Sequence, residues 1–321
     1  MLPILKFIPC FKPVIWGGER IARLKGIDSP RHDIGESWEI SPLPGHESVV
    51  AEGTYKGTTI NELCARFPVE MLGKHVSERW KGTFPLLVKF IDSNDTLSIQ
   101  VHPDDELALR RHNALGKTEL WYALEPLDDA FVYLGLTRRV NPEEFNSLVA
   151  SGNIISVLRR IPVKSGDVFF IPSGRIHALG KGNLVVEIQE ASDITYRIYD
   201  YNRRDSQGRT RELHVEQSVD AIDFHDTVEE HHNLLPSPGQ TLQLGKCQYF
   251  TTDAINVAGE TSLDFARRDS FTILVNIGGD LKITSPDGET VSFPQGTSVL
   301  IPAEIPSVTI TGHGRVLSTH L

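Results

Sequence analysis

The strongest constraint on this chain is a recurring pattern of short apolar runs, five to eight residues long and bounded by Gly, Pro, Asn or Asp. FPLLVKFI (84–91), DTLSIQVH (95–102), TELWYAL (118–124), AFVYLGL (130–136), GDVFFIP (166–172) and NLVVEIQ (183–189) follow one another in this way. FTILVNI (271–277), DLKITS (280–285), SVLIP (298–302) and SVTIT (307–311) repeat the pattern towards the C-terminus. Runs of this length, rich in β-branched residues and separated by turn formers, read as strands. Their regular spacing predicts a mainly β fold of sandwich or barrel type rather than alternating βαβ units.

Helices are expected to be few and peripheral. TTINELCARF (58–67) offers Thr59 or Asn61 as a cap, and DDELALRRH (104–112) follows Pro103 with acids in its first turn. PEEFNSLVASG (142–152) has Asn141 as cap, Pro142 at its first position and Gly152 as a stop. The polar, proline-bearing stretch HDTVEEHHNLLPSPGQ (225–240) reads as a linker between an N-terminal unit (1–225) and a C-terminal β unit (240–321). His231 and His232 are expected to be a solvated pair within that linker. An internal echo joins the two units: Gly166 to Pro172 has the spacing of Gly296 to Pro302, and His177 falls opposite Ser307. Two barrels are therefore predicted, of which only the first keeps a metal ligand.

The chain has 42 acidic and 32 basic residues, a net charge of −10. That balance gives no general footprint for nucleic acid or an anionic membrane. Any phosphorylated substrate must be held by Lys and Arg placed locally. Cys10, Cys64 and Cys247 are odd in number and far apart, so neither a disulfide framework nor a Cys-rich metal site fits them. The N-terminal MLPILKFIPCFKP lacks a signal-peptide layout, which leads to the expectation of a cytoplasmic protein, a monomer or weak homo-oligomer.

Candidate chemistry lies in three segments. Along DTLSIQVH, alternation puts Ser98, Gln100 and His102 on one face, opposite Leu97, Ile99 and Val101. In GKTELWYALEP, Glu119 shares a face with Trp121 and Ala123, where a carboxylate is costly to bury unless it meets a cation or a strong donor. In GDVFFIPSGRIHALG, the spacing Gly166-x5-Pro172-x-Gly174-x2-His177 places a histidine at the start of a returning strand, facing inward. This spacing resembles the second signature motif of the cupin superfamily, with Lys181 where its final Asn stands. Two cupin-type jelly-roll barrels with a few peripheral helices are therefore expected. A Gln, two His and a carboxylate form a mixed N/O donor set suited to one divalent ion: zinc, manganese, iron or cobalt. Spacing alone leaves Glu119 and Glu106 as rival carboxylates.

LSIQVHPDD (97–105), GKTELWY (116–122) and PSGRIHALGKGNLVVEIQEASDITYRIYDYNR (172–203) resemble the type I phosphomannose isomerases, in their shorter bacterial form. KPVIWGG (12–18) and GESWEIS (35–41) add to the likeness, which covers most of residues 1–220. The resemblance implies interconversion of mannose 6-phosphate and fructose 6-phosphate, with one zinc on Gln100, His102, Glu119 and His177. It further implies Arg197, Glu187 and Lys117 as catalytic residues and Ser98 beside the ligand strand. Lys117-Thr118-Glu119 departs from the Lys-Pro-Glu of longer members.

Residue chemistry adds roles to these positions. A partly buried Glu187 would have a raised pKa and could act as base, with His102 or a metal-bound water as alternatives, or it is paired structurally with Arg197 or Lys117. Arg197, always charged, would stabilise an enediolate or fork onto phosphate. Lys89, unexpected on an apolar strand, and Arg203 are candidate phosphate contacts; Lys89 is expected on a strand next to Ser98. Arg204 and Arg209 are expected in solvent, while Trp16, Trp38 and Trp121 are either core or a sugar-stacking face. A cupin oxygenase using iron, and a sugar-phosphate sensor without activity, are the alternative functions.

Overall fold

The computed structural model describes every residue except Pro30, Asp205, Ser206, Val228, Glu229 and Glu230. Among the described residues, three antiparallel sheets account for the named strands. A seven-stranded sheet runs, edge to edge, through His231–Asn233, Asp167–Ile171, Glu119–Ala123, Asn183–Glu190, Leu86–Ser93, Ile34–Ile40 and Cys10–Gly18. A five-stranded sheet runs through Tyr196–Tyr199, Ile99–Val101, His177–Leu179, Phe131–Leu136 and Leu158–Pro162. These two sheets face each other over a core that includes Ile91, Leu97, Trp121, Leu134, Phe169 and Val185.

The third sheet belongs mainly to the C-terminal unit and encloses an apolar interior of Ile255, Leu274, Ile283, Phe293, Val308 and Ile310. The division of the chain differs from the expected 1–225 and 240–321 at its start. Leu5–Ile8 pairs with Ser298–Ile301, and Val49–Val50 pairs with Leu5–Ile8, so the first fifty residues contribute strands to the C-terminal sheet. No helix among the described residues is long and apolar enough to cross a membrane.

The seven-stranded sheet is buried on both faces. Its outer face, with Val88, Phe90, Leu120, Tyr122, Val186 and Ile188, packs on Phe271, Ile273 and Leu317 of the C-terminal unit and on Leu63 and Met71 of two helices. Two-sided burial explains why Leu86–Ser93 reads as an almost unbroken apolar run. Lys89 lies on that strand, inside the sheet rather than at its edge.

The helices follow the predicted caps. Thr59 forms a capping box with Glu62 at the start of Ile60–Arg66, and Asn141 caps Pro142–Ala150. The helix after Pro103 spans Asp105–His112, and Asp104 caps it by accepting the Leu107 N–H. The echo of the two units has a structural counterpart. Gly166 and Gly296 both turn at positive φ into strands, Asp167–Ile171 and Ser298–Ile301, and His177 and Ser307 each open the returning strand. A Cβ on Gly166 would sit 2.7 Å from the Leu235 side chain. The expected solvated pair His231-His232 is corrected in part: His232 is exposed, but both lie in a short strand paired with Asp167–Phe169, and the half-buried His231 stacks on Phe169. Val228, Glu229 and Glu230 of the same predicted linker lie outside the described residues.

Candidate active site and metal centre

Strand register builds the site as two rows that face each other across the N-terminal barrel. In the seven-stranded sheet, Trp121 pairs with Glu187, Glu187 with Lys89, and Lys89 with Trp38. In the five-stranded sheet, His177 pairs with Gln100 and Gln100 with Arg197. Between the rows is a cavity of about 160 Å³, lined by Lys89, Ser98, Gln100, Lys117, Glu187 and Arg197 among others. Lys89 and Ser98 do not sit on adjacent strands as expected. They belong to opposite walls, because the neighbours of Lys89 are Trp38 and Glu187. Trp16 and Trp121 are buried in the core, and each also forms part of the cavity wall.

Behind Lys117 and Gln100 of the cavity wall, donor atoms of His102, Glu119 and His177 lie within 4.8 Å of one another, and all three residues are buried. No other such group occurs among the described residues. His102 Nδ1 donates to the Ile194 carbonyl at 2.8 Å and His177 Nδ1 to the Arg175 carbonyl at 2.9 Å. Those bonds fix the tautomers and leave both Nε2 lone pairs turned inward. Burial, with Lys117 nearby, pushes His102 well below the usual histidine range, and burial brings His177 down to about 3. Both rings are therefore neutral and competent as ligands.

Glu119 supplies the third donor. Its Oε2 is bonded to Lys117 Nζ, while its buried Oε1 has no hydrogen-bond partner among the described residues. That Oε1 lies 3.3 Å from His177 Nε2. Burial pushes the Glu119 carboxyl up, against the pull of Lys117. An orphaned carboxylate oxygen facing two neutral imidazole lone pairs fits a divalent cation. Gln100 Nε2 is 3.3 Å from His177 Nε2, and turning the amide over would present its oxygen instead. The rival Glu106 is exposed and pairs with Arg110 at 3.5 Å.

The cavity is otherwise a chain of alternating buried charges. Glu187 Oε2 is 3.0 Å from Lys89, its Oε1 is 3.7 Å from Lys117, and Oε1 also accepts from Trp121 Nε1 at 2.9 Å. Lys117 is 3.3 Å from His102 Nε2, and Lys89 is 3.6 Å from Glu36. The expected raised pKa of Glu187 is corrected. Burial alone would raise it, but Lys117 and Lys89 together outweigh burial and hold it below the carboxylate range. Lys89 is in turn pushed up by Glu187 and Glu36 despite its burial.

The arginines divide differently from expectation. Arg197 lines the cavity, is anchored by Nη1 to the Glu212 carbonyl at 2.9 Å, and keeps a buried Nε with no acceptor among the described residues. Arg203 is corrected: it is not part of the cavity wall, and its guanidinium is taken by Asp200 and the Thr96 carbonyl, each at 2.5 Å. Arg211 is in the wall, braced by Asp200 at 2.8 and 2.5 Å. Sequence reasoning missed Arg211, Glu36, Asp193 and Thr195, all cavity residues. Glu36 alternates with Trp38 in GESWEIS, a signal that was available; Arg211 lies outside any strand pattern. Arg204 and Arg209 are exposed. A larger groove of about 810 Å³, lined by Pro42, Cys64, Pro68 and Lys81 among others, brings no opposing charges together and offers no comparable chemistry.

With this geometry in view, the relatives are informative. Residues 4–125 match the family described as phosphomannose isomerase type I, catalytic domain, and residues 240–321 match mannose-6-phosphate isomerase, cupin domain. The chain is 36% identical over 307 residues to the mannose-6-phosphate isomerase of Streptococcus mutans serotype c, covering 95% of this chain and 94% of the relative. It is 36% identical over 322 residues to the mannose-6-phosphate isomerase ManA of Bacillus subtilis, covering 99% and 98%. The crystal structure of a mannose 6-phosphate isomerase from Bacillus subtilis superposes with a TM-score of 0.88 at 34% identity, over the full length of both chains.

Proposed function

This chain belongs to the type I phosphomannose isomerase family and interconverts mannose 6-phosphate and fructose 6-phosphate, and we propose that it does so around one zinc ion held by Gln100, His102, Glu119 and His177. The observation that carries the metal reading is the buried Glu119 Oε1, orphaned among the described residues and set against two inward-facing imidazole lone pairs. Two nitrogens and two oxygens, with no sulfur, suit zinc. A bound divalent ion would polarise the sugar oxygens at C1 and C2 and stabilise the negative charge of an enediolate.

The protein's own groups divide the remaining work. Arg197 and Arg211, on the cavity wall, supply fixed positive charge for the phosphate or for the enediolate. Lys117 and Lys89 bring cations, each beside a carboxylate, to the opposite wall, and Ser98 adds a small hydroxyl on the Arg197 side. Glu187, kept ionised by both lysines, is the carboxylate available to take the C2 proton and return it at C1. A carboxylate held below its usual pKa is a weak base. The C2 proton must therefore be made more acidic by the cations around the neighbouring oxygen, which is the arrangement this cavity offers. The same reading makes the protein a cytoplasmic enzyme, a monomer or weak homo-oligomer, acting on a small sugar phosphate without nucleic acid or membrane.

A coupled assay of fructose 6-phosphate formation tests the proposal. Zinc-loaded protein is expected to turn over mannose 6-phosphate, with activity lost in chelator and restored by zinc. Full activity in metal-stripped protein would defeat the metal reading.

A further inference from the structure

The Lys117–Glu119 segment is held from outside the cavity by an unusually complete set of contacts. Gly116 lies so close to the start of the Asp105–His112 helix that a Cβ there would meet the Asp105 nitrogen at 2.6 Å and the Asp104 carbonyl carbon at 2.7 Å. Lys117 N–H donates to the Pro103 carbonyl at 3.1 Å, and Gly116 N–H donates to Asp105 Oδ1 at 2.8 Å. The segments carrying His102 and Glu119 are thereby locked together. On the other side, Thr118 N–H donates to Glu190 Oε1 at 2.7 Å and Glu190 N–H donates to the Thr118 carbonyl at 3.1 Å.

The second oxygen of Asp105 is not left to solvent. Oδ2 accepts from the hydroxyl of Tyr249 at 2.9 Å. Tyr249 is buried in the turn between Thr241–Lys246 and Thr251–Asp264, in the C-terminal unit. That turn is itself closed by Cys247 N–H to the Phe250 carbonyl at 2.9 Å and gripped by Arg79 on the Gln248 carbonyl at 2.8 Å. A continuous line of hydrogen bonds thus runs from the C-terminal unit through Asp105 to the backbone next to Lys117.

We propose that Tyr249, acting through Asp105, and Glu190, acting through Thr118, are positioning residues that set Lys117 and Glu119 against His102, so that the metal-free C-terminal unit serves the active site. The inference rests on the reading of His102 and Glu119 as metal ligands. Groups that orient ligands from outside the first contacts change metal affinity and rate rather than substrate binding. Glu190 fits the same picture: it is buried, and its Oε2 has no partner among the described residues. Burial and the nearby Asp105 push its carboxyl up to about 8, so near neutrality it carries a proton.

The test uses the full-length, zinc-loaded protein and the variants Tyr249→Phe, Asp105→Asn, their double mutant and Glu190→Leu. Zinc release into excess chelator, kcat, KM and Tm are measured for each. For Tyr249→Phe the expected result is zinc release about threefold to tenfold faster and kcat reduced by a similar factor, with KM unchanged. The double mutant should lose no more than the larger single effect, because both changes break one line of contacts. Glu190→Leu, which removes the acceptor for the Thr118 N–H, should speed zinc release in the same direction, which keeps the test decisive if Tyr249→Phe does not fold. A lower Tm with wild-type zinc release and wild-type kcat in Tyr249→Phe and Glu190→Leu would overturn the inference, as would additive effects in the double mutant. His177→Ala separates the two readings. If that protein still holds zinc, the metal reading fails and this inference with it; if it loses zinc while Tyr249→Phe releases it normally, only this inference fails.

Discussion

Glu119 Oε1 lies 3.3 Å from His177 Nε2, two acceptor atoms turned towards each other with no donor between them. Such a pair persists only with a cation or a proton in the gap. The two conditions compete, since burial pushes Glu119 up and favours a proton when no metal is present. Zinc must displace that proton, so its affinity is expected to rise with pH through the neutral range. The two imidazoles, both pushed down, contribute no proton to the exchange there. Chelator competition at pH 6 and pH 8 measures this; an affinity that fell towards pH 8 would contradict the assignment.

Metal loss and loss of chemistry should separate by residue. His177→Ala removes a buried inward lone pair, and bound zinc and activity should disappear together. Arg197→Ala leaves the three clustered donors untouched, because Arg197 meets the Glu212 carbonyl and the cavity rather than those donors. Zinc content should remain at wild type while activity falls by about a hundredfold or more, the scale set by removal of one oriented charge-stabilising group. Metal analysis beside the coupled assay decides this.

Arg211 and Arg203 share Asp200 but not the cavity wall. Arg211→Ala is therefore expected to raise KM for mannose 6-phosphate about tenfold, and Arg203→Ala to act mainly through stability. Steady-state kinetics and thermal melts of the two variants give the comparison; equal KM changes would return Arg203 to the substrate.

The fold was legible where chemistry and spacing coincide. Gly166, Pro172, Gly174 and His177 define a turn, a strand and a return, and the structure has each of them in place. Alternation put Ser98 and Gln100 on one face, and both line the cavity, as does Lys89, which stood out as a cation on an apolar strand. What alternation does not carry is which strand lies beside which. Lys89 therefore read as a neighbour of Ser98 when it pairs with Glu187 and Trp38. The same lack of partner information turned Glu187 from a depressed carboxylate into an expected raised one: burial and a pairing with Lys117 were foreseen, the second lysine, Lys89, was not. Leu5–Ile8 was missed as a strand because its partner, Ser298–Ile301, lies almost three hundred residues away.

The contact between the two units carries stability as well as position. Phe271 of the C-terminal unit is fully buried, with its ring centroid 4.6 Å from that of Phe84. Phe271→Ala should cost about 3–5 kcal/mol, the usual range for emptying an aromatic site in a core. Denaturant unfolding gives the value, and a change below about 1 kcal/mol would show that the two units do not unfold as one body.

Glu190 makes the pH dependence of stability a direct readout of the same region. Its folded pKa is raised from 4.5 to about 8, chiefly by burial and further by Asp105. Between those two values the folded chain binds more protons at this site than the unfolded chain. Its contribution is therefore fully present below about pH 4.5 and is lost as pH rises through about 8. Glu190→Gln keeps an oxygen for the Thr118 N–H and removes the titration. Wild-type Tm should accordingly fall more steeply than that of the variant between pH 5 and pH 8.5, so that the variant gains on the wild type as pH increases. Parallel Tm curves across that range would mean that Glu190 does not hold its proton in the folded protein.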